Sequence, residues 1–435
     1  MLDAQDPPVN WYDAGLRHLW LRPEATEPLA VALTRGSHIV LDDERELLDG
    51  TAGGWTACHG FNHPHIGMAV ARQLERMPHA PLDGMLHREP AKLAARLAQL
   101  LPDDLDHVLF SESGSAAMES AVAVALRYWE SRGMGQRRKF LGFRGGWHGG
   151  TAAAAAIGDP ALARAASHRA LAARQYCTRL PSDEKITAAF ESLLARHADK
   201  LAAIVVEPLV QAAGGMKFHD AEVLRRIRAS ADRHEILLIF DECFTGFGRT
   251  GAMFACEAAG VLPDVITLSK ALTGGTLPLA ATAVRRNIFD ALSANGAPSH
   301  STFAGNAMAC AAANASLDLF EQEPRLEQAG EIARQLTDGL APCRGFAGVR
   351  DVRVMGAIGV VELRRLEHPG ALQQHFIDAG IYVRLAGNAL VLTPSLAIEP
   401  YDLTQLIGST VKVLHDATRR RVRRQASPNQ ADLPL

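Results

Sequence analysis

The chain has 435 residues, enough for two or three structural units with a core that needs no disulfide staples. Its 45 Lys+Arg and 48 Asp+Glu leave a formal net charge of -3, so no global field draws it to nucleic acid or anionic lipid, and its expected partners are small molecules or a second copy of itself. With 48% hydrophobic and 21% charged residues the composition is that of a folded globular protein rather than a disordered one.

Six cysteines, Cys58, Cys177, Cys243, Cys256, Cys310 and Cys343, are scattered without a C-x-x-C pair or a histidine at zinc spacing, which reads as reduced thiols and no metal site. The first residues, MLDAQDPPVNWYDAG, are acidic and contain proline, unlike a secretory leader, and no apolar run reaches the roughly 18 residues of a membrane helix. The expectation is a soluble cytoplasmic protein.

In chain order, Leu29–Leu33 and His38–Leu41 suit short strands after a loose N-terminal arm, and Ala91–Leu101 reads as a helix stopped by Pro102. From Val108 onward, short apolar runs alternate with helical patterns: Val108–Phe110, Lys139–Phe143, Leu201–Val206, Ile236–Phe240, Val265–Leu268 and Ala280–Val284. That rhythm predicts an α/β fold with a mostly parallel sheet covered by helices on both faces. Beyond residue 311 the texture changes to two helices, ending near Leu340, and the strand-like runs Val349–Val354 and Ile358–Leu363, which predicts a smaller α+β lobe. The run Arg419–Arg424 reads as a solvated helix end.

The stretch from Ile239 to Gly251, IFDECFTGFGRTG, and the stretch from Asp264 to Gly275, DVITLSKALTGG, each end an apolar strand on polar residues, where open α/β sheets place their ligands. Asp241 and Lys270 are therefore expected in one crevice. A lysine amine able to form a Schiff base, with a carboxylate able to keep a pyridine nitrogen protonated, is the pair pyridoxal phosphate needs; an isolated structural ion pair would give the same pattern. Ser111-Glu-Ser-Gly-Ser115 follows a strand and opens a helix, so Gly114 and Ser115 are candidate phosphate ligands at a helix N-terminus, although Ser-Gly-Ser is also an ordinary cap. Phe143–Gly150, FRGGWHGG, puts Trp147 and His148 on a glycine-rich loop where the indole could stack on a planar group or simply pack. Glu207 ends another strand, as ligand or as helix cap, and Thr302 is indistinguishable from a turn residue.

The motifs D-E-x-x-T-G-F-G-R-T-G at 241–251, S-K-A-L-T-G-G at 269–275 and S-G-S at 113–115 resemble those of the class III, fold type I pyridoxal phosphate aminotransferases. The resemblance covers nearly the whole chain, including His18-Leu-Trp20, Leu48-Asp-Gly50, His59-Gly-Phe-Asn-His-Pro64, Phe254–Glu257, Ala309–Ser316 and Asp351–Val361. Within the family the nearest branch is the one that aminates 8-amino-7-oxononanoate from S-adenosylmethionine in biotin synthesis. The resemblance implies an N-terminal segment over 1–60, a large cofactor domain with a seven-stranded sheet over 61–325 and a small α+β domain over 326–435. It implies Lys270 as the Schiff-base lysine, Asp241 as partner of the pyridine nitrogen, Gly114 and Ser115 on the phosphate, and Trp147, His148 and Glu207 around the cofactor. It also implies a homodimer in which Ser301 and Thr302 reach the neighbouring subunit's phosphate, and a substrate pocket drawing on Gly54, Trp55, Trp147, Arg249, His300 and the carboxylate-binding Arg384.

Departures from the family pattern fall around the substrate. Leu21-Arg-Pro-Glu24 stands where the family has an His-Pro-Tyr run, Gly54-Trp55 where it has a Trp pair, and Trp147 where tyrosine is usual. Gly150 replaces an aspartate, and His300-Ser301 replaces Gly-Pro. Cys243 takes a position usually aliphatic. An intact cofactor set beside a remodelled pocket leaves two expectations: the biotin-pathway substrates, or a class III ω-aminotransferase acting on another ketone or aldehyde. An aminomutase, a decarboxylase or a cofactor-binding protein without activity are the remaining readings.

Overall fold

The computed structural model describes residues 10–21, 27–162, 169–170, 172, 174–293 and 301–426. Its centre is a seven-stranded sheet in the order His107–Ser111, Ala280–Val284, Val265–Leu268, Leu237–Asp241, Leu201–Val206, Lys139–Phe143, Tyr176–Thr178. Ala280–Val284 runs antiparallel to both of its neighbours, and the remaining pairs are parallel. All six residues of Leu201–Val206 are buried, which is why this strand reads as one apolar run: helices cover both faces.

Strand alternation sorts the side chains. Val205, Ile239 and Val265 join Met118, Ala121, Val124 and Trp129 of the helix Gly114–Ser131 on one face. Ile204, Val206, Leu238 and Phe240 point into the larger core on the other. Trp129 is satisfied within this packing, its Nε1–H donating to the Ala202 carbonyl at 2.8 Å.

The N-terminal strands Val31–Arg35, His38–Leu41 and Glu46–Asp49 form a second sheet, completed by Ile381–Tyr382 from the far end of the chain, which pairs parallel with Glu46–Asp49. A third sheet contains Val349–Met355, Ile358–Leu363, Ala389–Leu392 and Arg384–Ala386. The helices Arg325–Leu340 and Pro400–Ala426 pack together beside it. The α+β texture expected after residue 311 is present, but it begins later, because the helix Ala307–Gln322 packs its alanine-rich surface against Pro64–Arg76 and Arg88–Leu100. Element ends are set by caps: Asn306 Oδ1 accepts from Ala309 N at 3.1 Å and starts that helix four residues before the apolar run suggests.

Candidate active site

Asp241 ends its strand, and parallel pairing puts it directly beside Thr267 of the neighbouring strand. Lys270 lies three residues past Thr267, at φ 49°, a left-handed conformation that costs a lysine about 1–3 kcal/mol and that recurs at functional positions. Both line a cavity of about 220 Å³ at the carboxyl edge of the sheet, together with Gly114, Ser115, Trp147, His148, Glu207 and Trp55.

Asp241 accepts from three donors and keeps acceptor capacity for a fourth. Its Oδ1 accepts from the Cys243 N–H and the Thr267 hydroxyl, both at 3.2 Å, and its Oδ2 accepts from His148 Nδ1 at 2.9 Å. Burial alone would raise its pKa, but the His148 hydrogen bond and charge, and then the Lys270 charge, hold it below the usual carboxylate value. For His148, burial opposes the charge, while the Asp241 bond and the charges of Asp241 and Glu207 carry its pKa above the usual imidazole value. Its other nitrogen, Nε2, is buried and without a partner among the described residues.

Ser113 caps the helix Gly114–Ser131, its Oγ accepting from Ala116 N at 3.2 Å, so the first N–H groups of that helix remain for an anion at the cavity end. A Cβ on Gly114 would sit 3.0 Å from Cys243 Sγ, so only glycine leaves this approach open. Gly149 is equally constrained: at φ 135°, an added Cβ would meet Ser115 Oγ at 2.3 Å. Ser115 Oγ instead accepts from Gly150 N at 3.1 Å, joining the cradle to the Trp147 loop.

That loop is clamped by Glu207, whose two carboxylate oxygens accept from Trp147 N and Ala212 N, both at 2.9 Å. Burial pushes its pKa up to about 7 against the lowering influence of His148. Across the cavity, Trp55 packs edge-on to Phe244 at 4.8 Å between ring centroids. Lys270 Nζ lies 5.8 Å and Arg384 Cζ 4.6 Å from the indole centroid, so one aromatic ring serves two cations. The indole Nε1–H is buried and unpartnered among the described residues.

Arg249, expected at the substrate, is buried outside the cavity wall: its Nη1 donates to the carbonyls of Ala357 at 3.0 Å and Pro394 at 2.7 Å, tying the motif loop to the C-terminal lobe. Burial lowers its pKa to about 10. Ser301 and Thr302, expected at the neighbouring subunit's phosphate, are exposed and do not line this chain's cavity, the Ser301 hydroxyl donating to Glu112 beside the cradle. Gly54, at φ 72°, and Gly150 both face open space. His300 and the run 22–24 lie outside the described residues. Thr267, Phe244 and Ser269 also border the site; the strand-end positions of Thr267 and Ser269 were the available signal, whereas nothing local marks Phe244.

These residues fit pyridoxal phosphate. The cavity has a lysine, a carboxylate that accepts a hydrogen bond from a histidine, an N-terminal helix cradle that a Cβ would fill, and flat indole walls. The comparisons agree. The class III aminotransferase family model matches residues 22–414. An adenosylmethionine-8-amino-7-oxononanoate aminotransferase from Mycobacterium leprae is 38% identical over 91% of this chain and 94% of its own. One from Nitratidesulfovibrio vulgaris is 36% identical over 93% and 80%. Among solved structures, an amine transaminase from an uncultivated Pseudomonas species in its PLP-bound form superposes with a TM-score of 0.85 at 30% identity, covering 92% of this chain and 98% of that one. The fold is that of the fold type I transferases, and the chain belongs to the class III aminotransferases, enzymes that work with pyridoxal phosphate.

Proposed function

We propose that this chain moves an amino group in two half-reactions, from S-adenosylmethionine to 8-amino-7-oxononanoate, giving 7,8-diaminononanoate for biotin synthesis. The observation that carries the chemistry is the single cavity in which Lys270, Asp241 and His148 converge at the carboxyl edge of the sheet. The substrates come from the relatives that share over a third of the aligned residues along 94% and 80% of their own lengths.

Bound in this cavity, pyridoxal phosphate supplies an electron-accepting ring that stabilises negative charge at a substrate carbon. Lys270 Nζ holds the cofactor covalently between turnovers and, once released by the incoming amine, moves the proton of the amino shift. Asp241, kept ionised by His148, pairs with the ring nitrogen. Gly114 and Ser115 N–H groups take the phosphate, and Trp147 and Trp55 wall the ring and the substrate. Arg384 is an exposed guanidinium stacked on Trp55, suited to a bidentate grip on a substrate carboxylate.

The same reading makes the protein a cytoplasmic homodimer, with Ser301 and Thr302 reaching the other subunit's phosphate. It divides each chain into a segment over 1–60, a cofactor domain over 61–325 and a small domain over 326–435. The exposed Phe303, Met85 and Leu86 supply apolar surface for such a dimer, and the six free cysteines suit a reducing compartment. No described helix is long and apolar enough to cross a membrane.

A second reading, an ω-aminotransferase with another ketone or aldehyde acceptor, is favoured by the open space at Gly54 and Gly150. Mixing the cofactor-loaded enzyme separately with S-adenosylmethionine, lysine, glutamate and alanine, and following the cofactor absorption, separates the two. Conversion by S-adenosylmethionine supports the biotin reaction; conversion by another donor with S-adenosylmethionine inert supports the second reading.

A further inference from the structure

The Trp55 wall is built from an improbable piece of backbone. Four successive residues have positive φ: Ala52 at 47°, Gly53 at 60°, Gly54 at 72° and Trp55 at 78°. Trp55 N donates to Thr51 O and Thr56 N to Ala52 O, both at 2.8 Å, so the segment is one left-handed helical turn. L-residues avoid this conformation, and two of the four, Ala52 and Trp55, have a Cβ. The turn persists only because something over-determines it.

That something is Asp49, which is 1% exposed. Its Oδ1 accepts from Thr51 N and Thr51 Oγ1, and its Oδ2 from Gly53 N, each at 2.7 Å. Thr51 Oγ1 in turn accepts from Gly54 N at 3.2 Å. Asp49 is also the residue paired with Tyr382 in the parallel ladder, and the next N–H, of Gly50, donates to Tyr382 O at 2.8 Å. Arg384 lies two residues beyond Tyr382. Both halves of the Trp55–Arg384 stack therefore hang from one pair of residues, the indole through the latched turn and the guanidinium through the ladder.

We propose that Asp49 is a positioning residue for substrate recognition: its carboxylate latches the left-handed turn that holds Trp55 against Arg384, and so fixes the guanidinium that grips a substrate carboxylate. The inference rests on the reading of this cavity as a site for a carboxylate-bearing substrate, and goes beyond it by locating what sets the grip. Asp49 itself touches no substrate. Its effect is confined to substrates that carry the carboxylate.

The test uses the cofactor-loaded enzyme and the Asp49→Asn variant, which retains shape but replaces one acceptor oxygen with a donor. The expected result is a KM about tenfold higher for carboxylate-bearing substrates, little change for an amine lacking the carboxylate, and kcat within about twofold. Adding Asp49→Asn to Trp55→Ala should then raise KM no further, because both act on one contact. Multiplying effects, or a fall in kcat with KM unchanged, would overturn the proposal. Trp55 emission, taken as the difference between wild type and Trp55→Phe, should shift to the red in Asp49→Asn; an unchanged spectrum overturns the latch. A KM unaffected by either Trp55→Ala or Arg384→Ala would instead sink the substrate reading, while the emission shift still decides on the latch. Thr51→Val, which removes one donor to Asp49 and the acceptor for Gly54 N, should reproduce both effects more weakly and serves if Asp49→Asn does not fold.

Discussion

Replacing Asp241 by asparagine isolates what its charge contributes, because the side-chain shape is kept. The asparagine oxygen can still accept from the Cys243 N–H and the Thr267 hydroxyl, which both bind Oδ1 in the native site. Its amide then faces His148 Nδ1 where Oδ2 accepted at 2.9 Å. An amide N–H there requires Nδ1 to become the acceptor, so the imidazole must be neutral with its one proton on Nε2, a buried nitrogen without a partner among the described residues. One hydrogen bond to a charged group is lost, worth about 1.5–3 kcal/mol, and the cofactor's ring nitrogen would lose the anionic partner proposed for it. At 1.4 kcal/mol per decade this is roughly a 10- to 150-fold fall. It belongs in the rate of the half-reaction, because the negative charge that needs the ring develops only as the proton moves. Rapid mixing of the loaded variant with donor, followed through the cofactor absorption, measures it. A variant that binds cofactor and reacts within about twofold of the native rate would refute the role assigned to Asp241.

Three further predictions concern the surroundings. Gly114→Ala places a Cβ 3.0 Å from Cys243 Sγ and 3.5 Å from Ser269 Cβ, an overpacking of about 1–3 kcal/mol, and should weaken cofactor binding about tenfold in a spectral titration; adding Cys243→Ala should restore part of it, and unchanged binding would argue against the cradle. Glu207 binds its proton more tightly in the folded chain, with a pKa raised from 4.5 to about 7, so its contribution to stability is largest below 4.5 and is lost as pH rises through that window. In cofactor-free protein, Glu207→Gln should flatten the decline of the thermal midpoint between about pH 4.5 and 7 without abolishing it, since burial raises Glu242 to about 7 as well; an unaltered slope would contradict this. Arg249→Met leaves two buried carbonyls without their donor and should cost about 2–5 kcal/mol of stability while KM stays within about twofold, whereas a large rise in KM with full stability would return Arg249 to the substrate pocket.

Much of this site was legible because strand ends announce themselves. Lys270 and Asp241 each follow an apolar run, and parallel pairing in adjacent strands then leaves little choice about where they meet. Alternation along the strand was harder to use. Asp241 faces the cavity, but its neighbour Glu242 turns away and accepts from Ala255 N at 2.7 Å and Cys256 N at 2.8 Å. Arg249 sits in the same motif as Asp241, yet its partners are the carbonyls of Ala357 and Pro394, contacts that no local pattern encodes. The pairing of Trp55 with Arg384 depends likewise on a ladder between the two ends of the chain, and the left-handed turn beneath Trp55 was hinted at only by Gly53-Gly54. Strands such as Tyr176–Thr178 and Glu46–Asp49 are too short for a periodicity to register, so their existence came from pairing rather than from pattern.

We assign Lys270 as the residue that carries the cofactor. Reducing the loaded enzyme with borohydride, digesting it and weighing the peptides tests this most directly. The expected result is the cofactor's mass on the peptide containing Lys270, and no fixed cofactor at that peptide in Lys270→Ala. Fixation on a different lysine, or undiminished fixation in Lys270→Ala, would contradict it.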